Sequence, residues 1–268
     1  MSVFEVFEKR PRKAWIYWSI ALFLVALTIW SARDLSFHGL ADKGSDIAYG
    51  VLHGLFHPKM DLLTDLSSEG VPYLIFQTIA IAILGTFLGG VLAIPFAFLA
   101  SENVVGKTVS RITRAFILMI RTIPSLIWAL IWIRVTGPGP FCGVVTQMIC
   151  SIGMISKMYI TAIEDLDVRI LESLDACGCN TFEKIKCGIL PQLYANFIST
   201  IIYRFDINMK DASVLGTVGA GGIGAPLIQC IRSRRWTMVG AYLLGLIVIV
   251  LLIEFISTRI RRHLAAGE

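Results

Sequence analysis

Five polar residues fall within eight consecutive positions of the stretch "YRFDINMKDASVLGTVGAGGIG" (203–224): Arg204, Asp206, Asn208, Lys210 and Asp211. At about 100° per residue along a helix, Arg204, Asn208 and Asp211 share one face. Asp206 and Lys210 lie on nearly the opposite face, four residues apart in the favourable acid-then-base order. Such side chains can bind an anion along a pathway, or they can pair with one another and hold helices together. Both interpretations stay open.

A glycine-rich run follows these polar residues and includes Gly219, Gly221, Gly222 and Gly224. A nucleotide-binding loop needs Gly-Lys-Ser/Thr and a preceding strand, and the sequence offers neither here. Glycine permits positive φ and a close approach of backbones, so the run predicts a bend or a tight helix contact. An amide nest that touches a substrate anion is the alternative.

The composition indicates an integral membrane protein. Of 268 residues, 56% are hydrophobic and 16% are charged, whereas a soluble domain carries about 25% charged residues. The net charge of +5 comes largely from short basic clusters beside apolar runs, which is typical of membrane orientation rather than nucleic-acid binding. Six cysteines include Cys177, Cys179 and Cys187, but without a nearby histidine or a C-x-x-C spacing we expect no metal site.

Spanning helices need about 20 mainly apolar residues, and six stretches approach this. The predicted spans are 14–32, 73–100, 115–136, 142–161, 193–216 and 236–257. The third contains Arg121, another charge at membrane depth, followed by Pro124, which is expected to loosen that helix. The first lacks a small-residue cleavage site and is interpreted as a retained anchor. We therefore divide the chain into 1–69, with a basic tail, an anchor and an extracytoplasmic segment, and a transmembrane domain, 70–268.

The basic clusters predict the orientation of the chain. Clusters at 9–13, 107–114 and 259–262 fall on one side if the spans alternate, and the positive-inside rule places that side in the cytoplasm. Both termini are then cytoplasmic. Arg232, Arg234 and Arg235 would lie outside, against the rule, so we predict that they dock a partner or attract an anion there.

The longest predicted cytoplasmic loop, about 162–192, contains signals for two short helices. Ile163, Leu166, Ile170 and Leu174 form an apolar stripe at helical spacing. Gly178 permits a turn, and the pair Asn180 and Glu183 has capping-box spacing. Pro191 would then let the chain re-enter the membrane. A helix–turn–helix of this kind fits a partner's groove, and a solvated linker is the alternative.

Within this loop, "ESLDACG…GILPQ" resembles the coupling-loop motif of ABC importer permeases; residues 162–192 are called the coupling segment below. The resemblance covers Glu172, Ala176, Gly178, Leu190 and Pro191. Leu174 stands where alanine is usual in that motif, and Gly188 where isoleucine is usual. The stretch 203–224 closely resembles the phosphonate-importer permease subfamily, with the likeness extending over about 70–262.

The resemblance implies an all-α fold of six transmembrane helices, the type I ABC importer permease fold with cytoplasmic coupling helices, in a prokaryotic plasma membrane. It implies three partners: a second permease subunit, here expected to form a homodimer, a pair of ATPase subunits that bind ATP and Mg²⁺, and an extracytoplasmic solute-binding protein. The chain itself would bind no cofactor and would contact membrane lipid. Its cargo would be phosphonate or a related phosphorus oxyanion, phosphite or phosphate.

Three other functions are alternatives to this one. A permease for another small solute is the nearest alternative. A membrane enzyme acting on lipids or phosphate esters would need a nucleophile, paired carboxylates or a metal cluster at membrane depth, and the sequence shows no such set. An ion channel has no need of a coupling segment.

Overall fold

The structure is a computed structural model that describes residues 14–33 and 44–266. Within those ranges the chain forms helices and turns, with no strand. Met1–Tyr49 and Gly50–Glu268 form two compact units. The predicted basic cluster at 9–13 lies outside the described residues, as do 34–43 of the predicted extracytoplasmic segment.

The first unit contains helix α1 (Ala14–Arg33) and the beginning of α2 (Gly44–Phe56). No residue of α1 is buried. A helix of 20 mainly apolar residues with no buried side chain requires a non-aqueous surrounding, because exposing that much apolar surface to water is unfavourable.

The second unit is a bundle of long helices joined by short ones. After α2 its helices are α3 (Met60–Thr64), α4 (Val71–Ala100), α5 (Glu102–Val105), α6 (Lys107–Thr122), α7 (Ser125–Thr136), α8 (Pro140–Glu164), α9 (Val168–Ala176), α10 (Thr181–Glu183), a π-helical turn (Lys184–Ile189), α11 (Leu190–Gly216), α12 (Gly224–Arg232) and α13 (Trp236–Ala266). Proline occupies the first turn of α4, α8 and α11, where its missing N–H has no intrahelical partner to lose.

Helices α4 and α8 form the largest helix–helix contact of the described chain. Small residues make this approach possible: a Cβ added at Gly89 would lie 2.5 Å from Ser151 Cβ, and one at Gly85 would lie 2.6 Å from Gln147 Cβ. Glycines spaced by four residues are typical of close helix packing in membranes. This contact brings polar side chains of α8 into the centre of the bundle.

Four described helices are long and apolar enough to cross a membrane: α1, α4, α8 and α13. The predicted third span, 115–136, is not one straight helix. It is the pair α6 and α7, bent by 85°, because Pro124 disfavours helical geometry at Ile123, which is extended with φ −89° and ψ 120°. If this pair counts as one span, the total is five.

Helix α11 coincides with the predicted fifth span, and its 27 residues are long enough to cross. Its polar side chains keep it outside the set that hydropathy selects. The six-span count therefore stays a prediction.

The coupling segment differs in two ways from the predicted pair of helices. The apolar stripe does not lie on one helix, since Ile163 belongs to α8 and Leu171, rather than Ile170, is buried in α9. The second helix does not end before Pro191; α10, the π-helical turn and α11 follow one another without a break. Proline in the first turn of α11 is compatible with this continuity.

Candidate functional site

A buried group of side chains, here called the polar cluster, joins α4, α8 and α11. Its members are Thr86, Gln147, Ser151, Arg204 and Asn208, each less than a tenth exposed. Asn208 Nδ2 donates to Thr86 Oγ1 at 2.8 Å and to Ser151 Oγ at 2.9 Å. Gln147 Nε2 donates to the Asn208 carbonyl at 2.8 Å. The cluster fixes the middle of α11 against two neighbouring helices.

Arg204 extends this cluster toward the α8 side. Its Nε donates to Ser151 Oγ at 3.2 Å, and its Nη1 lies 3.0 Å from Met154 Sδ. Among the described residues no carboxylate lies within salt-bridge distance of the guanidinium; Asp211, half-buried, interacts with it only at longer range. Arg204 is therefore a buried cation held by neutral groups.

Asp206 and Lys210 form the predicted i,i+4 pair, which is confirmed: Lys210 Nζ lies 3.4 Å from Asp206 Oδ2. The pair has a third member that was not predicted: Lys210 Nζ also lies 3.3 Å from Glu254 Oε2 on α13. The Asp206 side chain is 9% exposed and that of Lys210 is 46% exposed. These charges thus tie α11 to α13, on a different side of the helix from Arg204.

Arg121 lies apart from both groups. It is exposed at the end of α6, and its stem packs on Gly153, where an added Cβ would lie 2.8 Å from Arg121 Cγ. It borders a cavity of about 190 Å³ together with Arg114 and Lys157. The structure does not bring Arg121 together with the polar residues of α11.

Residues 217–223, here called the glycine turn, join α11 to α12. Gly219, Gly221 and Gly222 have φ of 97°, 83° and 73°, which other residues adopt only with strain. Gly221 is also crowded, because an added Cβ would lie 2.8 Å from Pro140 Cα. Gly224, the first residue of α12, approaches the backbone of Ser213. Glycine is therefore required here by both conformation and space.

Two backbone amides of the glycine turn are already used inside the protein. Gly222 N donates to Gln77 Oε1 at 2.8 Å, and Ile223 N donates to Thr78 Oγ1 at 3.0 Å. A substrate anion would have to displace these bonds to use the same amides. The geometry favours the tight-bend interpretation over the amide nest.

Arg232, Arg234 and Arg235 are exposed where α12 ends and the chain turns into α13. Arg234 has a φ of 56°, and Arg235 N donates to the Cys230 carbonyl at 2.9 Å, closing the turn. The Arg235 side chain borders a cavity of about 260 Å³ that Glu69 also lines. The three cations form one exposed basic surface, and their role outside stays a prediction.

The coupling segment presents an ordered, exposed turn at the other end of α11. Asp167 caps α9 by accepting a bond from Arg169 N, and hydrogen bonds from the Arg169 side chain and backbone lower the pKa of its carboxyl. Gly178 has a φ of 80° with nothing within 4 Å of an added Cβ. Glu172 and Ala176 are exposed on α9.

The predicted capping box that opens α10 is confirmed, with Asn180 Oδ1 accepting from Glu183 N at 2.9 Å and Glu183 Oε2 accepting from Asn180 N at 2.7 Å. Lys184 and Asp175 form an ion pair across the turn. Leu190, 37% exposed, and Pro191 form the first turn of α11.

The two residues that depart from the coupling motif contact each other. A Cβ added at Gly188 would lie 2.5 Å from Leu174 Cδ1, so the larger side chain fills the space left by the smaller. Leu171 is buried nearby in the main hydrophobic core. The two departures thus compensate for one another and dock α9 on the base of α11.

Sequence reasoning missed the partners of the polar cluster, namely Thr86, Gln147 and Ser151, as well as Glu254. Gln147 and Ser151 are four residues apart in a predicted span, and that spacing of polar residues was a usable signal. No metal site was predicted; in the ranges 14–33 and 44–266, no group of three or more His, Cys, Asp or Glu is placed to hold a metal ion.

Comparison with known proteins assigns the family. The family model described as "Binding-protein-dependent transport system inner membrane component" matches residues 85–267. The chain belongs to this family. It is therefore a multi-pass membrane component of a transport system, in a family of permeases rather than of enzymes.

Two relatives carry names that specify cargo. The phosphate-import permease protein PhnE of Mycolicibacterium smegmatis is 33% identical over 222 residues, which cover 82% of this chain and 41% of that protein. The phosphite transport system permease protein PtxC of Stutzerimonas stutzeri is 32% identical, covering 70% of this chain and 69% of that one. The chain thus spans less than half the length of the mycobacterial relative.

Solved structures agree on the fold. An inward-facing form of the MetNI methionine ABC transporter matches with a TM-score of 0.62 at 22% identity, covering 71% of this chain and 94% of that chain. An amino acid ABC transporter matches with a TM-score of 0.58 at 17% identity, and the match covers 83% of this chain and 99% of that chain. The predicted fold class, an all-α type I ABC importer permease, is confirmed.

Proposed function

We propose that the chain is the membrane-spanning subunit of an ATP-driven importer that carries phosphonate or a related phosphorus oxyanion, phosphite or phosphate, into the cytoplasm. A second copy of the chain would complete the pathway. Two ATPase subunits, with ATP and Mg²⁺, would supply the energy, and an extracytoplasmic binding protein would deliver the anion. This chain would bind no cofactor.

The observation that carries the proposal is the exposed turn of the coupling segment. It projects Glu172, Ala176 and Gly178 while Leu171 and Leu174 anchor it on the bundle. A short ordered helix on an apolar base has the shape that inserts into a partner's groove. Because α10 and the π-helical turn run directly into α11, a push on the turn would be transmitted to the helix that carries Arg204.

The oxyanion cargo is supported by the names of the relatives and by the charge of α11. A buried cation without a carboxylate at salt-bridge distance is costly, which argues for a benefit other than stability. Moving an anion through a low-dielectric region is disfavoured unless positive groups offset its charge. Arg204 would supply such charge, with Asn208 and Asp211 on the same face of α11. Lys210 is paired with Asp206 and Glu254 on a different side of the helix. Arg121 lies apart on α6, so Lys210 and Arg121 are weaker candidates for the pathway.

The proposed orientation places both termini and the coupling segment in the cytoplasm. The glycine turn and the arginines at 232, 234 and 235 would then face the outside, where the binding protein docks. Apolar side chains such as Phe76 and Val248, 71% and 61% exposed, would contact membrane lipid. A prokaryotic plasma membrane is the proposed location.

Uptake by reconstituted vesicles would test the proposal. The chain would be purified with its ATPase and binding protein, and ATP-dependent uptake would be measured for phosphite, phosphate and methylphosphonate. Accumulation of one or more of these anions, lost when ATP is withheld, is the expected result. Failure to copurify with an ATPase subunit would contradict the proposal at its first step.

A permease for another small solute is the second candidate. The favouring observation is that the fold also matches a methionine ABC transporter and an amino acid ABC transporter. Adding methionine and other amino acids to the same uptake panel would decide between the two candidate functions.

A further inference from the structure

A cavity of about 550 Å³ is lined by residues of α8, α11 and α13, including Gln192 at the end of the coupling segment. Its volume is many times the roughly 30 Å³ that a water molecule occupies in the liquid, so it can admit a hydrated small ion. The hydrogen-bonding side chains that line it are Gln192, Asn196, Ser199, Thr200, Tyr203 and Arg261. None of the described lining residues is acidic.

The cavity follows from the helical spacing of α11. Residues 192, 196, 199 and 203 recur at intervals of three and four, which places them on one face. Gln192 Nε2 donates to the Gly188 carbonyl at 2.8 Å, which ties this face to the coupling segment. Thr200 Oγ1 donates to Asn196 Oδ1 at 3.5 Å, which leaves the Asn196 amide group as a donor.

Arg261 supplies the charge of the cavity. Its guanidinium carbon lies 5.3 Å from the centre of the Tyr203 ring, in a cation–π arrangement. Its Nη2 lies 3.4 Å from Thr258 Oγ1. Its Nε is buried and has no hydrogen-bond partner among the described residues. The side chain as a whole is half-buried and lines the cavity, so its other N–H groups can donate to an anion there.

We infer that this cavity is a binding site for a tetrahedral phosphorus oxyanion, held by Arg261 with donors from the exposed face of α11. Guanidinium groups match phosphate-type oxygens in geometry as well as in charge. The inference rests on the proposed function and adds a site to it: the anion would pause here, beside the coupling segment, before release.

The test follows whether an anion shields the cavity from a thiol reagent. Ser199→Cys places a reactive thiol in the cavity. Fragment-ion mass spectrometry measures alkylation at residue 199 separately from alkylation at the exposed native Cys187, which lies on the same tryptic peptide. The full-length chain would be held in nanodiscs of phosphatidylcholine, with phosphite, phosphate or methylphosphonate added. A hydrogen bond to a charged group is worth about 1.5–3 kcal/mol. Arg261→Gln should therefore raise the anion concentration needed for half-maximal protection at least about tenfold.

Arg262→Gln is the matched control, because Arg262 is exposed on the same turn of α13 and its loss should leave protection intact. Arg261→Lys keeps the charge but loses the two parallel N–H donors of the guanidinium. The anion concentration that protects this variant should lie between those for the Ser199→Cys chain and for Arg261→Gln. Asn196→Leu serves as a second variant if Arg261→Gln does not assemble, and should also weaken protection.

Several outcomes would overturn the inference. No protection in the Ser199→Cys chain, or protection that Arg261→Gln leaves unchanged, would do so. Protection only in nanodiscs that contain an anionic phospholipid, without soluble anion, would assign the cavity to a lipid headgroup instead. If the complete importer carries phosphorus oxyanions but none slows alkylation, this inference alone fails; if it carries none of them, the proposed function fails too.

Discussion

Helix α11 is held in different ways at its two ends. At the glycine turn, backbones meet backbones, as at Gly221 and Pro140, and buried amides are paired with Gln77 and Thr78. At the coupling segment, the contact is made by a leucine side chain, and a Cβ added at Gly178 would meet nothing within 4 Å. Close backbone contacts resist movement, whereas an open turn on side-chain contacts can adapt to a partner. The end of α11 at the glycine turn is therefore expected to stay rigid, and the end at the coupling segment is expected to adapt when a partner binds.

The contrast between the two ends should have its largest effect on the stability of variants in which a glycine is replaced. Gly221→Ala and Gly178→Ala both force alanine into a positive φ, which costs about 1–2 kcal/mol. Only Gly221→Ala also meets backbone atoms, and overpacking adds about 1–3 kcal/mol. We expect Gly221→Ala to reduce the amount of folded protein strongly and Gly178→Ala to reduce it slightly. Thermal unfolding of the two purified variants would measure the difference, and equal stabilities would remove the contrast between the two ends.

Gly178→Val should have its main effect on coupling. The branched side chain at a φ of 80° changes the shape of the turn, since β-branched residues rarely adopt that conformation. We expect uptake to be mostly lost while membrane insertion and bundle packing persist. Simultaneous assays of ATP hydrolysis and uptake in vesicles would show hydrolysis without transport. Normal uptake by this variant would mean that the turn is a linker.

Arg204 lies in the middle of α11, between the two ends, and its replacement by Gln tests the role of this part of the helix. Because it is buried without a carboxylate at salt-bridge distance in the described chain, Arg204→Gln should leave the melting temperature unchanged or raise it. Uptake should nevertheless fall if the positive charge serves the passing anion. Asn208→Ala is the comparison, since it breaks bonds to Thr86 and Ser151 and should lower stability by about 1–3 kcal/mol. A loss of stability in Arg204→Gln would favour a structural role.

Local patterns explain which features the sequence could predict. The capping box and the pair Asp206–Lys210 depend on residues three or four positions apart, and both are present. The partners of Asn208 lie 122 and 57 residues away, so they depend on how α4 and α8 pack. Pro124 predicts a loosened helix at the place of the bend, but the size of the bend, 85°, could not be predicted because the apolar run continues on both sides of the proline.

The compensation between Leu174 and Gly188 could not be predicted either, since each looked like an isolated departure from the motif. It provides a smaller test of how α9 is docked. Gly188→Ile should clash with Leu174 and loosen the segment, and Leu174→Ala should leave a gap. The double variant should restore much of the uptake and stability, with a coupling energy of about 0.5–3 kcal/mol between contacting residues. Additive effects of the two changes would show that they do not compensate.

The smallest effect is expected at the exposed basic surface beyond the glycine turn. Arg232, Arg234 and Arg235 make no salt bridge among the described residues, so replacing all three with Gln should leave stability nearly unchanged. Charges at the rim of an interface act mainly on the rate of encounter and its salt dependence, and salt screens them within about 8–10 Å at ordinary ionic strength. We therefore expect slower uptake at low salt and a shrinking difference from the wild type as salt rises. Arg259 and Arg262, exposed near the other end of α13, provide the control, because on the proposed orientation their replacement by Gln would not affect docking of the binding protein. The same salt response in both sets of variants would show that the basic surface has no special role in docking.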